Sequence, residues 1–235
     1  MIKLTLLVLV LAYVFQVQAR PTQICEDGDD APSNLANAVC TFSKPLLVGA
    51  SLTQGYKANP GGTASLIAET LSPGAKITNI AKGGARSVES LKNHTLPTDL
   101  PSIVIGIDLF FWDAARNECD ENFEASTKNF IKMYQDKNIP MILGKLPKGI
   151  SSPSGYNILN LSLCTDKINK LLENECTIDK NCLIYDPKDC LSKIDPKNGE
   201  LYFVDKLHTS FEANKFCANN FIASGNYNDL KCKKD

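Results

Sequence analysis

Beyond its first nineteen residues the chain has no apolar run long enough to cross a bilayer, and it is poor in histidine. There are two histidines, His94 and His208, and no C-x-x-C pair. Neither histidine stands at ligand spacing from a pair of cysteines, which removes the zinc-finger and zinc-hydrolase patterns. The expectation is therefore a chain with no metal and no cofactor. Positive charge is also missing as a field: 25 Lys and Arg face 26 Asp and Glu, for a formal net charge of −1. Nothing here would draw the chain to nucleic acid or to an anionic membrane. The lysines of the terminal KCKKD read as a solvated tail. No internal repeat and no low-complexity segment is present, so solenoid and linker architectures are excluded.

What the chain does have begins at its N-terminus. Lys3, the apolar stretch Leu4 to Val14 and the small-residue pattern Val17-Gln18-Ala19 have the layout of a secretory signal. A membrane span takes about 20 apolar residues, and this stretch is shorter. Residues 1–19 are thus expected to be removed, leaving a single domain over 20–235 that is secreted or periplasmic and makes no stable membrane insertion. Nine cysteines follow, and in an exported chain they point to disulfides, with an odd one left over. Spacing does not fix connectivity. The pairs that bracket short terminal segments, Cys25 with Cys40 and Cys217 with Cys232, are the first expectation.

Unbroken apolar runs at Leu46 to Ala50, Lys76 to Ile80, Ile103 to Ile107, Met141 to Leu143 and Leu183 to Tyr185 read as strands covered on both faces. Between them, Ala64 to Leu71, Asn122 to Lys137, Tyr156 to Asn174 and Ser210 to Ala223 have helical spacing or composition. This alternation predicts a doubly wound α/β sandwich on a mostly parallel sheet of five strands. Asp186 to Gly199, rich in Asp, Lys and Pro, reads as a loop. In such a sheet ligands gather at the carboxyl ends of the strands. Ser51 follows the first strand, Gly83 and Gly84 the second, Asp108 the third, and Asp205 and His208 precede the last helix.

A serine becomes a useful nucleophile when an imidazole can take its proton and a carboxylate orients that imidazole. Ser51, His208 and Asp205 supply the three groups. Each has a plainer reading: Ser51 and Asp205 could cap helices, and His208 could be a surface histidine. His94, in the polar stretch LKNHTLP, is expected on the surface. Tyr56, Phe110 and Trp112 are candidates for an apolar wall against the substrate, although aromatics are more often core. Lys82 and Arg86 beside the glycines could attract an anion, but single charges are more often solvated.

These blocks together resemble the SGNH, or GDSL-like, hydrolase superfamily. GASLTQGY is similar to its first block, ITNIAKGGARS to its second, VIGIDLFFWD to its third and VDKLHTSFEANK to its fifth. The resemblance implies a flavodoxin-like three-layer α/β/α sandwich with a central, mostly parallel five-stranded sheet. It also implies a serine esterase acting through an acyl-enzyme, with Ser51 as nucleophile, His208 as base and Asp205 as orienting acid. The implied oxyanion hole is the amides of Ser51 and Gly84, with the third-block residue Asp108 beside them. The implied partner is a small-molecule, lipid or glycan ester. Other readings are an impaired binding protein on the same scaffold and an acyltransferase acting on glycans.

The third block departs from the family pattern, which has Gly-x-Asn-Asp where this chain has Gly106-Ile107-Asp108-Leu109. An ionised carboxylate cannot donate to an oxyanion, and losing one donor costs about 3 kcal/mol of transition-state stabilisation. Three outcomes are open: Asp108 is protonated by burial and donates, it turns away, or hydrolysis has been lost. On the view that Asp108 is a compromised donor, Asp108→Asn is expected to raise turnover.

Overall fold

The computed structural model describes residues 34–56, 62–147, 163–193 and 208–232. All of these belong to one compact unit, Pro32–Asp235. The expected leader at 1–19, Cys25, the start of the helix expected from Tyr156, and Asp205 lie outside the described residues. No described helix is long and apolar enough to cross a membrane.

Five strands form one parallel sheet: β1 (Pro45–Leu47), β2 (Thr78–Asn79), β3 (Ile103–Gly106), β4 (Met141–Gly144) and β5 (Cys182–Tyr185), in the order β2-β1-β3-β4-β5. Leu46 lies opposite Thr78 on one side and Val104 on the other, and Val104 in turn opposite Met141. Because side chains alternate across a strand, β1, β3, β4 and β5 each feed two cores, whereas both residues of the edge strand β2 are exposed. Leu46, Val104, Met141 and Leu143 point to one face, and Leu47, Ile103, Ile105 and Ile142 to the other. Both faces being apolar is why the runs do not alternate in the sequence.

Helices cover each face. On the first lie α4 (Ser87–Leu91), α5 (Phe111–Ala115), α6 (Glu121–Gln135) and α7 (Leu163–Glu175). On the second lie α3 (Thr63–Leu71) and α9 (Phe211–Ser224), with α1 (Asn34–Thr41) leading into Phe42 of the same core. Short helices α2 (Ser51–Gln54) and α8 (Lys188–Leu191) complete the described set. α6 shows the local logic well. Its buried residues Phe123, Thr127, Phe130, Ile131 and Tyr134 fall on one stripe, and Asp120 caps it by accepting from the Phe123 amide at 2.9 Å.

The α/β/α sandwich expected from the sequence is the observed architecture. Its strands are shorter at their ends than the apolar runs, because Val48 to Ala50 and Ile107 leave the ladder to shape the loops above the sheet. The expected loop from Asp186 carries α8 within it, started by Pro187; residues 194–199 lie outside the described residues.

Disulfides form as expected, but neither expected pairing does. Cys40 bonds to Cys232, Cys119 to Cys164, Cys176 to Cys182 and Cys190 to Cys217. α1 runs beside the C-terminal segment: the Asn37 side chain donates to the Leu230 carbonyl at 2.8 Å and accepts from the Cys232 amide at 3.1 Å. That neighbourhood, rather than nearness in sequence, brings Cys40 to Cys232. Cys217 on α9 and Cys190 on α8 are both buried where the two helices meet.

His94 is not a surface residue either. It is half-buried, its Nε2 lies 2.6 Å from the Tyr134 hydroxyl, and its ring meets Phe130 edge-on at 5.4 Å. Burial holds its pKa below the free value of 6.5 and pushes the Tyr134 phenol up to about 12. A neutral His94 therefore stabilises the fold fully above about pH 6.5, and this stability is lost as pH falls through the lower folded pKa. Melting temperature is expected to fall over that window in the natural chain and to fall less in His94→Gln. Equal slopes in the two proteins would refute this contribution of His94.

Candidate active site

At the end of β1 the chain leaves the sheet through Val48-Gly49-Ala50 and enters α2, with Ser51 as its first residue and only 7% exposed. One side chain holds this turn. The Asp108 carboxylate, buried just past β3, accepts the Ala50 amide at 2.9 Å and the Thr53 amide at 3.3 Å on Oδ1, and the Leu52 amide at 2.7 Å on Oδ2. The Thr53 hydroxyl adds a fourth bond to Oδ1 at 2.5 Å. None of these bonds uses the Ser51 amide. Burial pushes the Asp108 carboxyl up, while the Thr53 hydroxyl and the three amides pull the other way. Gly49 is required by this arrangement: a Cβ there would run into Asp108 Oδ1 and come within 2.6 Å of Thr53 Oγ1.

This corrects the expectation of Asp108 as an oxyanion donor. Both of its oxygens are occupied as acceptors, and they brace the turn that carries Ser51. Of the three outcomes open from the sequence, the geometry is that of a carboxylate turned to the backbone.

His208 stands just ahead of α9, with Nε2 3.0 Å from Ser51 Oγ. Its position is fixed by its neighbour. Thr209 donates its hydroxyl to Asn214 Oδ1 at 2.8 Å, and Thr63, at the start of α3, donates to the same oxygen at 3.0 Å. All three are buried, so the segment bearing the histidine is stapled to the first turns of α3 and α9. Asn214 was not singled out from the sequence. Its signal was a polar amide beside Ala213 and Cys217 on the buried stripe of α9.

The second block lies against the turn that carries Ser51. Asn79 donates to the Thr53 carbonyl at 3.2 Å, the Lys82 amide to the Gly49 carbonyl at 2.9 Å, and the Gly83 amide to Gln54 Oε1 at 3.0 Å. A Cβ added to Gly83 would come within 2.9 Å of Gln54 Oε1 and lie 3.9 Å from Ser51 Cβ, so glycine lets this loop run close to the turn. Gly84 follows with φ +73°, a conformation that favours glycine. Asp113, fully buried and pushed up by burial, accepts the Ser87 amide at 2.8 Å and fixes where α4 starts after the loop.

The expected apolar wall divides. The Tyr56 ring lies 4.6 Å from the His208 ring and is half exposed. Trp112 is half-buried, with the Arg116 guanidinium 5.5 Å from its ring centre. Phe110 is fully buried against Phe123 and belongs to the core, which corrects its expected place on the wall. Arg86 pairs with Glu89 and Glu118 rather than facing solvent alone. Among the described residues, no group of three His, Cys, Asp or Glu could hold a metal ion.

No family profile matches the sequence, and no curated protein matches it. Solved structures do match. An acetylxylan esterase of Geobacillus stearothermophilus, Axe2, aligns over 80% of this chain and 96% of its own, with TM-score 0.54 and 14% identity. The psychrotrophic esterase EstA of Pseudoalteromonas sp. aligns over 77% of this chain and 96% of its own, with TM-score 0.55 and 18% identity. The chain has the fold of these esterases. That is the three-layer α/β/α fold on a parallel five-stranded sheet that the sequence blocks implied. Variants of Axe2 described as catalytic replace a serine, an aspartate and a histidine, the last two three positions apart. EstA is described as inhibited by monoethylphosphonate.

Proposed function

We propose that the protein is a serine esterase that cleaves carboxylic esters through an acyl-enzyme. The observation that carries this reading is the 3.0 Å contact between His208 Nε2 and Ser51 Oγ at the carboxyl end of a parallel sheet. His208 takes the Ser51 proton as Ser51 Oγ attacks the ester carbonyl, and the amides of Ser51 and Gly84 receive the oxyanion. The same histidine returns the proton to the departing alkoxide. It then takes one from the water that releases the acid. Asp205, three residues before His208, orients the imidazole in this scheme, matching the aspartate-to-histidine spacing of the catalytic variants of Axe2. With Asp108 acting as an acceptor, the oxyanion hole works with backbone donors and without the carboxamide of the usual third block.

Four disulfides suit an oxidising compartment. Export through the leader at 1–19 is the route we propose.

A fluorophosphonate probe tests the nucleophile directly. The purified protein is expected to take up one probe, mapped by mass spectrometry to Ser51, and to lose ester turnover in step with labelling. Absence of labelling from mildly acid to alkaline pH, or labelling elsewhere, would overturn the assignment.

A further inference from the structure

We propose that Tyr56 is a positioning residue for His208: its ring holds the imidazole in the orientation in which Nε2 meets Ser51 Oγ. The inference rests on the esterase reading and adds to it a residue outside the triad. Ser51 opens α2, and after one turn Gly55, at φ +79°, bends the chain so that the Tyr56 amide donates back to the Ser51 carbonyl at 2.9 Å. The residue that carries the hydroxyl thus also anchors the ring. That ring lies 4.6 Å from the His208 ring, centre to centre, at an interplanar angle of 51°. The three residues close a triangle: Ser51 Oγ meets Nε2 at 3.0 Å, the Ser51 carbonyl holds Tyr56, and Tyr56 packs on the imidazole.

A second contact is needed because the first fixes one atom only. The bonds through Thr209, Asn214 and Thr63 set the backbone beside His208, but they leave its side-chain torsions free. The terminal torsion of a histidine is broad, so a ring held by one 3.0 Å contact can swing about it. Tyr56 restricts that swing by packing. Packing acts on either tautomer, whereas a carboxylate such as Asp205 orients the ring only through Nδ1. Tyr56 is also half exposed, and the part that touches His208 puts ring carbon in place of water on that side of the imidazole. It belongs to neither core, so replacing it tests the site rather than the fold. A ring that lined the substrate instead would act on KM and leave the serine–histidine pair as reactive as before.

Two variants and two kinds of readout test this. Tyr56→Leu is expected to lower kcat for 4-nitrophenyl acetate, and the rate at which a fluorophosphonate labels Ser51, by a common factor of about three to ten, with KM within about twofold of the natural value. Tyr56→Phe keeps the ring and is expected to recover both rates to within about twofold. A spectroscopic readout stands apart from activity. With two histidines in the chain, the ring-proton NMR signals of His208 can be followed beside those of His94, assigned by His94→Gln. The His208 signals are expected to shift in Tyr56→Leu and far less in Tyr56→Phe, because an aromatic ring current acts on a ring packed against it, while the His94 signals stay in place. A rise in KM with kcat and labelling unchanged would overturn the proposal and put Tyr56 on the substrate. Loss of activity in Tyr56→Phe equal to that in Tyr56→Leu would also overturn it, by making the hydroxyl the acting group, as would His208 signals that neither variant moves. Failure of the esterase reading looks different: in the natural protein no ester turnover or labelling would depend on Ser51, whatever the His208 signals do in the variants.

Discussion

Asp108→Asn is expected to lower ester turnover, about tenfold or more, and to destabilise the fold by about 1–3 kcal/mol. The opposite would follow if Asp108 stood where the family's asparagine donates to the oxyanion. In the structure every bond to this carboxylate comes from a donor: the amides of Ala50, Leu52 and Thr53 and the Thr53 hydroxyl. An asparagine has one acceptor oxygen. Placed on Ala50 and Thr53, it would turn its NH₂ toward the Leu52 amide, setting donor against donor in a buried site. The Leu52 amide would then have to move or stay unsatisfied, and Leu52 directly follows Ser51. The activity loss therefore comes from misplacing Ser51 Oγ relative to His208, and it should appear in kcat and in the rate of fluorophosphonate labelling more than in KM. Thr53→Val, which removes one of the four bonds, should show the same effect at smaller size. A rise in turnover for Asp108→Asn, with stability unchanged, would restore the donor reading.

Asp108 also marks the limit of what the sequence conveys. The layered architecture was legible because it is written in local pattern: runs such as Ile103 to Ile107 are apolar throughout, and only strands covered on both faces need that. The meeting of the first and fifth blocks was legible because Ser51 and His208 both sit at the carboxyl ends of a parallel sheet, where the fold brings loops together. The direction in which Asp108 points was not legible. It depends on backbone 55 to 58 positions earlier curling round the carboxylate, and no periodicity records that. The same is true of the cysteines. Cys40 meets Cys232 across 192 positions because Asn37 binds the C-terminal segment, a contact that neither partner's neighbours announce. His94 was misjudged for a related reason: its polar flanks describe the loop, whereas its burial is decided by Phe130 and Tyr134 on α6. Asn214 shows the converse, since an amide on an otherwise apolar helix stripe was visible and its partners, Thr63 and Thr209, were not.

The largest rate effects belong to the histidine and its proposed partner, and they should differ in a diagnostic way. His208→Ala is expected to cut kcat by a factor on the order of 10⁶, because Ser51 then has no base. Asp205→Asn is expected to cost less, on the order of 10⁴, since the imidazole remains and only its tautomer and orientation are lost. With Nε2 committed to Ser51 at 3.0 Å, the ring can take orientation from a carboxylate only through Nδ1. The neutral amide of the asparagine can present NH₂ to that nitrogen and hold the ring in the tautomer that already carries a proton on Nε2, which cannot accept one from Ser51. Loss of Asp205 should therefore be partly recovered at alkaline pH, where hydroxide assists removal of the serine proton, and the loss of His208 should follow the same trend from a lower base. The two losses should not add: the double variant is expected to match His208→Ala alone, as residues that act as one unit do. Additive losses, or an Asp205→Asn protein with ordinary kcat, would remove Asp205 from the mechanism and leave Ser51 and His208 as a dyad.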